Sequence, residues 1–278
     1  MPIAWLTDVF LPQLEFPALV FAVALPLEFL LPASRDRSYR ALGFNLVAAF
    51  IYLFMTTLLE PLFAQVLEPA RSRLGLMIPV RFPDGVIGSL GQGLAFFLVY
   101  DFFYYWWHRG QHRMRWLWVQ HRFHHQERWL NVTTVHRVHF TEDLFRIFAI
   151  LLPMALLFDF KPVTVGWVWT ILTLWGYWIH ANVRVRLGLV GKWISGPQFH
   201  RFHHTPEHMN RNFSAFFPLW DRVFGTYHHP EPNAFPQYTG LRVESDGNTL
   251  RDAVAYPFIE WAKALRRVAG RQRGAARR

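Results

Sequence analysis

Five apolar stretches constrain this chain more than any other feature, because several approach the roughly 20 residues that a helix needs to cross a bilayer. They cover residues 13–33, 41–66, 86–107, 144–160 and 162–179. The first contains Glu15 and Glu28 and is followed at once by the basic segment RDRSYR. The third ends in FFYYWW and runs directly into His108. Tyr and Trp favour the bilayer interface, so this cluster places His108 near the headgroup level. The fourth run contains Pro153, and the fifth delivers His180 at its end. With only FDFK between them, these two runs read as a hairpin that leaves and returns on one side. The expectation is an all-α integral membrane protein with four to five membrane-embedded helices and a cytosolic histidine-rich helical cap. Residues 1–85 would form N-terminal membrane helices, 86–230 a histidine-bearing catalytic region, and 231–278 a cytosolic segment with a basic tail.

Charge orients this arrangement. The chain is 52% hydrophobic yet carries a formal charge of +10. Of its 29 basic residues, 24 fall on the side of the histidines if the hairpin is correct, and only Arg71, Arg73, Arg81 and Lys161 lie opposite. The positive-inside rule then makes the histidine side and the C-terminus cytosolic. No Lys or Arg precedes Arg35, so no secretory leader is expected. Near the C-terminus, Leu250, Val254, Phe258, Trp261, Leu265 and Val268 recur at helical spacing, which suits either an interfacial helix or packing on the cap. Pro257 argues against one continuous helix there, and the final VAGRQRGAARR reads as a disordered tail able to attract anionic lipid.

The chain has no cysteine, which excludes disulfides, thiolate zinc sites and iron–sulfur clusters. Any metal must be held by nitrogen and oxygen. All 14 histidines lie between His108 and His229. His108 and His112 stand at i and i+4, on one face of a helix, so both imidazoles can converge on one ion. His121, His124 and His125 form HRFHH, and His200, His203 and His204 repeat it. Three imidazoles per segment exceed what one tetrahedral ion can use, so two metals are the economical solution. His180 and His139 are further candidates. His136 and His208 fit no repeated spacing and are read as supporting residues, while His228 and His229 read as loop residues. Imidazole suits Zn, Fe, Cu or Ni, and the spacing does not choose among them.

These residues resemble the membrane fatty acid hydroxylase and sterol desaturase superfamily, whose signature is HX3H, HX2HH and a later HX2HH. The resemblance runs from about Asp101 to Tyr227 through DFFYYWWHR, HRFHH, NVTTVHRVHFTE, WIHAN, HRFHH and WDRVFGTY. It implies two iron ions, O2 as co-substrate, and hydroxylation or desaturation of a fatty acyl or sterol-like lipid. It makes His108, His112, His121, His124, His125, His180, His200, His203 and His204 ligands, with His139 as a tenth. Two positions depart from the pattern: His139-Phe140-Thr141-Glu142 where the family has a proline after the histidine, and NRNF around Asn212 and Phe213 without the preceding aspartate. Asp101, two helical turns before His108, together with Glu142 and Asp221, could orient imidazole N–H groups. Glu127 reads instead as a surface ion pair. Aliphatic C–H bonds yield to a metal–oxygen oxidant and not to side-chain acids and bases, so the cofactor supplies the chemistry. Nothing resembles a flavin, nicotinamide or haem module, so a separate reductase, ferredoxin or cytochrome must supply electrons. A histidine-rich metal-ion transport or storage protein is the alternative, although transport sites lie near the bilayer midplane and these boxes follow the spans.

Overall fold

The computed structural model describes residues 3–74, 78–160, 162–243 and 246–275. Lys161 in the hairpin and Ala276–Arg278 of the basic tail lie outside the described residues. After a short turn at the N-terminus come α1 (Pro12–Leu30), α2 (Tyr39–Leu74) and α3 (Val86–Arg113). Among the described residues, three helices are long and apolar enough to cross a membrane: Pro12–Leu30, Tyr39–Leu62 and Val86–Arg113. Pro17 and Pro26 lie inside α1, and Pro61 and Pro69 inside α2, a tolerance usual in membrane helices. The third helix continues six residues past the expected end at Trp107, so His108 and His112 sit on the span helix itself.

Met114 breaks the chain with extended backbone and starts α4 (Arg115–His125), which carries the first HRFHH. A 3-10 turn, Val132–His136, follows, closed by a reciprocal capping box between Asn131 and Thr134. The chain then leaves the histidine end through α5 (Thr141–Arg146), a π-turn (Ile147–Leu151) and α6 (Leu152–Leu157). It returns along α7 (Pro162–His180). At the far end, Ile78–Pro79 pairs in parallel with Phe158–Asp159. The second HRFHH lies on α8 (Pro197–His203), followed by α9 (Leu219–Val223).

Helix α3 forms the centre of the core. Phe96, Phe97, Tyr100 and Trp107 pack with Leu117, Ile150, Met154 and Val168. Gly93 makes the α3–α7 approach possible, since a Cβ there would lie 2.1 Å from the Trp167 ring. Small residues permit such close crossings in lipid. The acidic residue in the first apolar run also has a structural reason. Glu28 is buried, and its Oε1 accepts from the backbone N–H of Val132 (2.7 Å) and of Asn182 (2.8 Å). One carboxylate thereby ties α1 to the two loops that frame the histidines.

The C-terminal stripe forms one structure, contrary to the expectation that Pro257 interrupts it. A π-turn (Arg251–Ala255) leads into α10 (Tyr256–Ala275), and Pro257 falls in the first turn, where a missing N–H costs nothing. The expected disordered tail is helical as far as Ala275. Trp261 donates to the Trp116 carbonyl (2.8 Å), fixing α10 beside the start of α4. Leu250, Val254, Phe258, Leu265 and Val268 remain exposed.

Candidate metal centre

The three boxes sort into two groups of imidazoles. His108, His112, His121, His125 and His203 form one, and His124, His180, His200 and His204 the other. Within each group, one ligand nitrogen per residue lies within 4.8 Å of all the others. Each i, i+4 pair stays together: His108 with His112, His121 with His125, and His200 with His204. The i+3 histidine points off that face and crosses over. His124 leaves its own box for the group built on the second box, and His203 does the reverse. The two HRFHH segments therefore exchange one ligand each, and the stacked His125 and His204 rings (4.5 Å, 19°) meet where the groups adjoin.

The outer ring nitrogens are fixed by acceptors that cannot donate. His108 Nδ1–H donates to the Phe213 carbonyl (2.8 Å), His203 to Arg211 (2.7 Å), His180 to Gly176 (2.6 Å) and His124 to Arg137 (3.3 Å). The neutral rings therefore turn an Nε2 lone pair inward. Asn212 sits between two of these acceptors with φ of 60°, in the left-handed region that Asn tolerates better than most residues. Its side chain is buried, donates to the Phe199 and His228 carbonyls, and accepts from the His228 N–H. This twist turns the carbonyls on either side of Asn212 toward two histidines of the same group.

Such an arrangement fits metal ions. His124 and His180 present Nε2 lone pairs to each other at 3.2 Å, and the chain continues from His180 to His200 at 3.0 Å and from His200 to His204 at 3.1 Å. Facing lone pairs repel unless a proton or cation lies between them, and ligands bonded to one ion at about 2.0–2.1 Å stand about 3 Å apart. In the five-histidine group the Nε2 atoms of His112, His121, His125 and His203 are buried with no hydrogen-bond partner. Burial, with the neighbouring imidazoles adding to it, holds His124, His125, His200 and His204 well below the usual imidazole range, and burial pushes His203 down to about 3. Neutral imidazole is the form that binds metal. The donor set is all nitrogen in both groups.

The remaining candidates fall elsewhere. His139 is in neither group: its Nδ1 lies 2.7 Å from the Thr141 hydroxyl and its Nε2 donates to the Val254 carbonyl (3.3 Å), linking the site loop to the C-terminal segment. Of the three carboxylates expected to orient imidazoles, only Glu142 touches one. Its Oε2 accepts from His121 Nδ1 (3.1 Å) and from Gln111 Nε2 (2.5 Å). Asp101 is buried but accepts from the N–H groups of Ala215, Phe216 and Phe217 (2.8, 3.0 and 2.7 Å). Asp221 accepts from the Phe213 and Ser214 N–H groups and the Thr226 hydroxyl. Both shape the loop that presents the Phe213 carbonyl, so they act on His108 through the backbone. Glu127 is not a surface residue: it is buried, receives Asn45 Nδ2 (2.6 Å) and lies 3.6 Å from Arg137.

His136 contacts the Tyr177 hydroxyl (2.7 Å), and the His208 ring packs at a tilt against His228. His229 meets the exposed Tyr227 hydroxyl. An open groove of about 880 Å³ between Trp129, Phe202 and Tyr238 is lined by none of the grouped histidines. Sequence reasoning missed Glu28, Arg137 and the Asn212 twist, and a charged residue inside an otherwise apolar run was the available signal for the first.

Glu142 gives a direct test. Glu142→Gln keeps an acceptor near His121 but removes its charge, and should lower metal affinity at the five-histidine group by about 10–100-fold. A chelator-competition titration reads this, and unchanged affinity would separate Glu142 from metal binding.

The fold and site define a membrane protein whose buried imidazole groups can hold two metal ions. Just under half of the chain, residues 93–226, matches the fatty acid hydroxylase family, and the chain is similar to several curated lipid-modifying proteins. It is 32% identical over 133 residues to alkylglycerol monooxygenase of Danio rerio, covering 47% of this chain and 29% of that protein. It is 32% identical over 169 residues to ornithine lipid hydroxylase OlsE of Rhizobium tropici, covering 60% of this chain and 49% of that protein. Lathosterol oxidase of Rattus norvegicus is 28% identical over 182 residues, covering 62% and 57%. The chain thus spans from under a third to somewhat over half the length of these relatives. No solved structure matches it.

Proposed function

We propose that this chain is a membrane-bound oxygenase that hydroxylates or desaturates a lipid. In this reading His108, His112, His121, His125 and His203 hold one iron, and His124, His180, His200 and His204 the other. The carrying observation is the reciprocal exchange of His124 and His203, which builds two all-imidazole groups with inward lone pairs. Relatives named as lipid hydroxylases and oxidases favour this chemistry over metal transport or storage. The irons, when bound, would supply the oxidant that cleaves a C–H bond, using O2 and two electrons from a separate protein. For hydroxylation, one oxygen atom enters the new C–OH bond and the other leaves as water with two protons. The chain's own part is to bind and orient: carbonyls and Glu142 fix the rings, while the aromatic core around α3 excludes water.

In the same reading α5–α6 and α7 are embedded beside the three long helices, giving four to five membrane-embedded helices, with the histidines and C-terminus cytosolic. Tags placed after Arg278 and within residues 113–120 should then report the same side of the membrane in a protease-protection assay, and opposite sides would break the hairpin.

The experiment that tests the function is metal analysis with iron Mössbauer spectroscopy on protein purified in mild detergent from iron-replete cells, followed by lipidomics of an overexpressing strain. About two irons per chain and a new oxidised lipid support the reading. Zinc alone after anaerobic handling would favour storage or transport, and a metal-free chain would remove the reading.

A further inference from the structure

Next to the histidines, but inside the apolar band, lies a polar group that the metal chemistry does not use. Tyr52 stands near the middle of the Tyr39–Leu62 span, and its hydroxyl donates to Asp143 Oδ2 (2.6 Å). Asp143 Oδ1 pairs with Arg146 at 2.5 Å, and the Arg146 side chain is 32% exposed. Tyr104 and Tyr100 lie one and two turns before His108 on the same face of α3. Their rings stack at 6.0 Å, and Tyr104 meets the His108 ring at 5.5 Å. Phe145, the residue before Arg146, packs into the cluster that holds both tyrosines, and Arg146 lies within electrostatic range of both.

Neither the Tyr100 nor the Tyr104 hydroxyl has a hydrogen-bond partner among the described residues, although Tyr100 is only 6% exposed. A clamp between helices accounts for Tyr52, Asp143 and Arg146, but phenylalanine would pack equally well at 100 and 104. An ionisable residue at membrane depth normally marks a functional site.

We infer that Tyr52, Tyr100, Tyr104, Asp143 and Arg146 form an intramembrane subsite for the polar group of the lipid substrate. Asp143 and Arg146 neutralise each other, so the subsite suits an uncharged oxygen, such as a hydroxyl, ether or ester, better than a carboxylate or phosphate. The two tyrosine hydroxyls and the unused guanidinium N–H groups provide its donors. The subsite sits within two helical turns of the five-histidine group. The oxidised carbon therefore lies within about 11 Å of the polar oxygen, the length of two helical turns. This inference rests on the oxygenase reading and narrows its substrate to neutral amphiphiles.

The test is equilibrium binding of radiolabelled 1-hexadecanol, hexadecane and hexadecanoate to the full metal-loaded chain in mild detergent. Wild type should prefer the alcohol over the alkane by at least about 10-fold, and over hexadecanoate as well. The double variant Tyr100→Phe, Tyr104→Phe should reduce the alcohol preference to within about 3-fold, the scale of losing two neutral hydrogen bonds. Metal content is measured in parallel and should not change. Equal binding of alcohol and alkane by wild type would overturn the subsite whether or not the variant folds. Tightest binding of hexadecanoate, or a preference retained in a folded double variant, would overturn it too. A wild-type chain that takes up no metal fails the oxygenase reading instead, so the two failures are distinguishable.

Discussion

The His124→Ala protein will retain about one metal ion per chain, and the ion it loses will come from the group built on the second histidine box, not its own. His124 belongs with His180, His200 and His204, so its removal leaves that group with three imidazoles. His203→Ala should do the opposite and strip the group of His108, His112, His121 and His125. Lipid oxidation should fall more than about 100-fold in both, beyond what loss of a supporting contact alone causes. Double variants separate this crossed arrangement from a box-by-box one. Adding His180→Ala to His124→Ala should remove no further ion, whereas adding His203→Ala should remove the second. If His124→Ala and His121→Ala deplete the same ion, the crossing is wrong. Membrane insertion should be normal in all of them, because the spans do not depend on these side chains.

Arg137→Leu should be the most destabilising single change outside the histidines, by about 3–5 kcal/mol, because it leaves a buried carboxylate without its cation. Arg137 has no measurable exposure. Its guanidinium donates to the Phe123 carbonyl (3.0 Å), Asn45 (3.0 Å), Asn248 (2.6 Å) and the Asp246 carbonyl (2.7 Å), and it lies 3.6 Å from Glu127. One side chain thus joins α2, the first HRFHH helix and the segment leading to α10. A fall in the thermal midpoint on the order of 10 °C is expected. Arg137→Lys should lose much of the same stability, since an ammonium cannot reproduce the fork of donors. Metal affinity in the molecules that do fold should stay near wild type, because His124 is held by the backbone carbonyl of residue 137 and not by its side chain. A folded variant of normal stability would show that this network is dispensable.

The glutamate partner of Arg137 shows how burial changes the meaning of a residue. In the sequence, Glu127 lies among arginines and reads as a solvated ion pair. Folding places Asn45 against it from 82 residues away and shuts out water. His139 shows the opposite case. It resembles a ligand by its neighbours in sequence, yet its contacts are Thr141 and the Val254 carbonyl, which the C-terminal π-turn supplies. Asp101 has helical register with His108, but its oxygens are taken up by three backbone N–H groups from residues 215–217. Register alone says which face a side chain shares, and not what arrives opposite it.

What the sequence determined is what depends on local periodicity and on the solvent. Apolar length made membrane helices, since a backbone in lipid must satisfy its own hydrogen bonds. Spacing of i and i+4 paired His108 with His112, His121 with His125, and His200 with His204, because 3.6 residues per turn puts them on one face. The lack of cysteine confined any metal to nitrogen and oxygen donors. Tertiary structure alone decided that His124 and His203 change places, that Asn212 turns two carbonyls toward the same group, and that Glu28 ties the first span to the site loops. Each depends on which distant segment packs against the residue, and that is set by the burial of the whole core and not by any repeat within the chain.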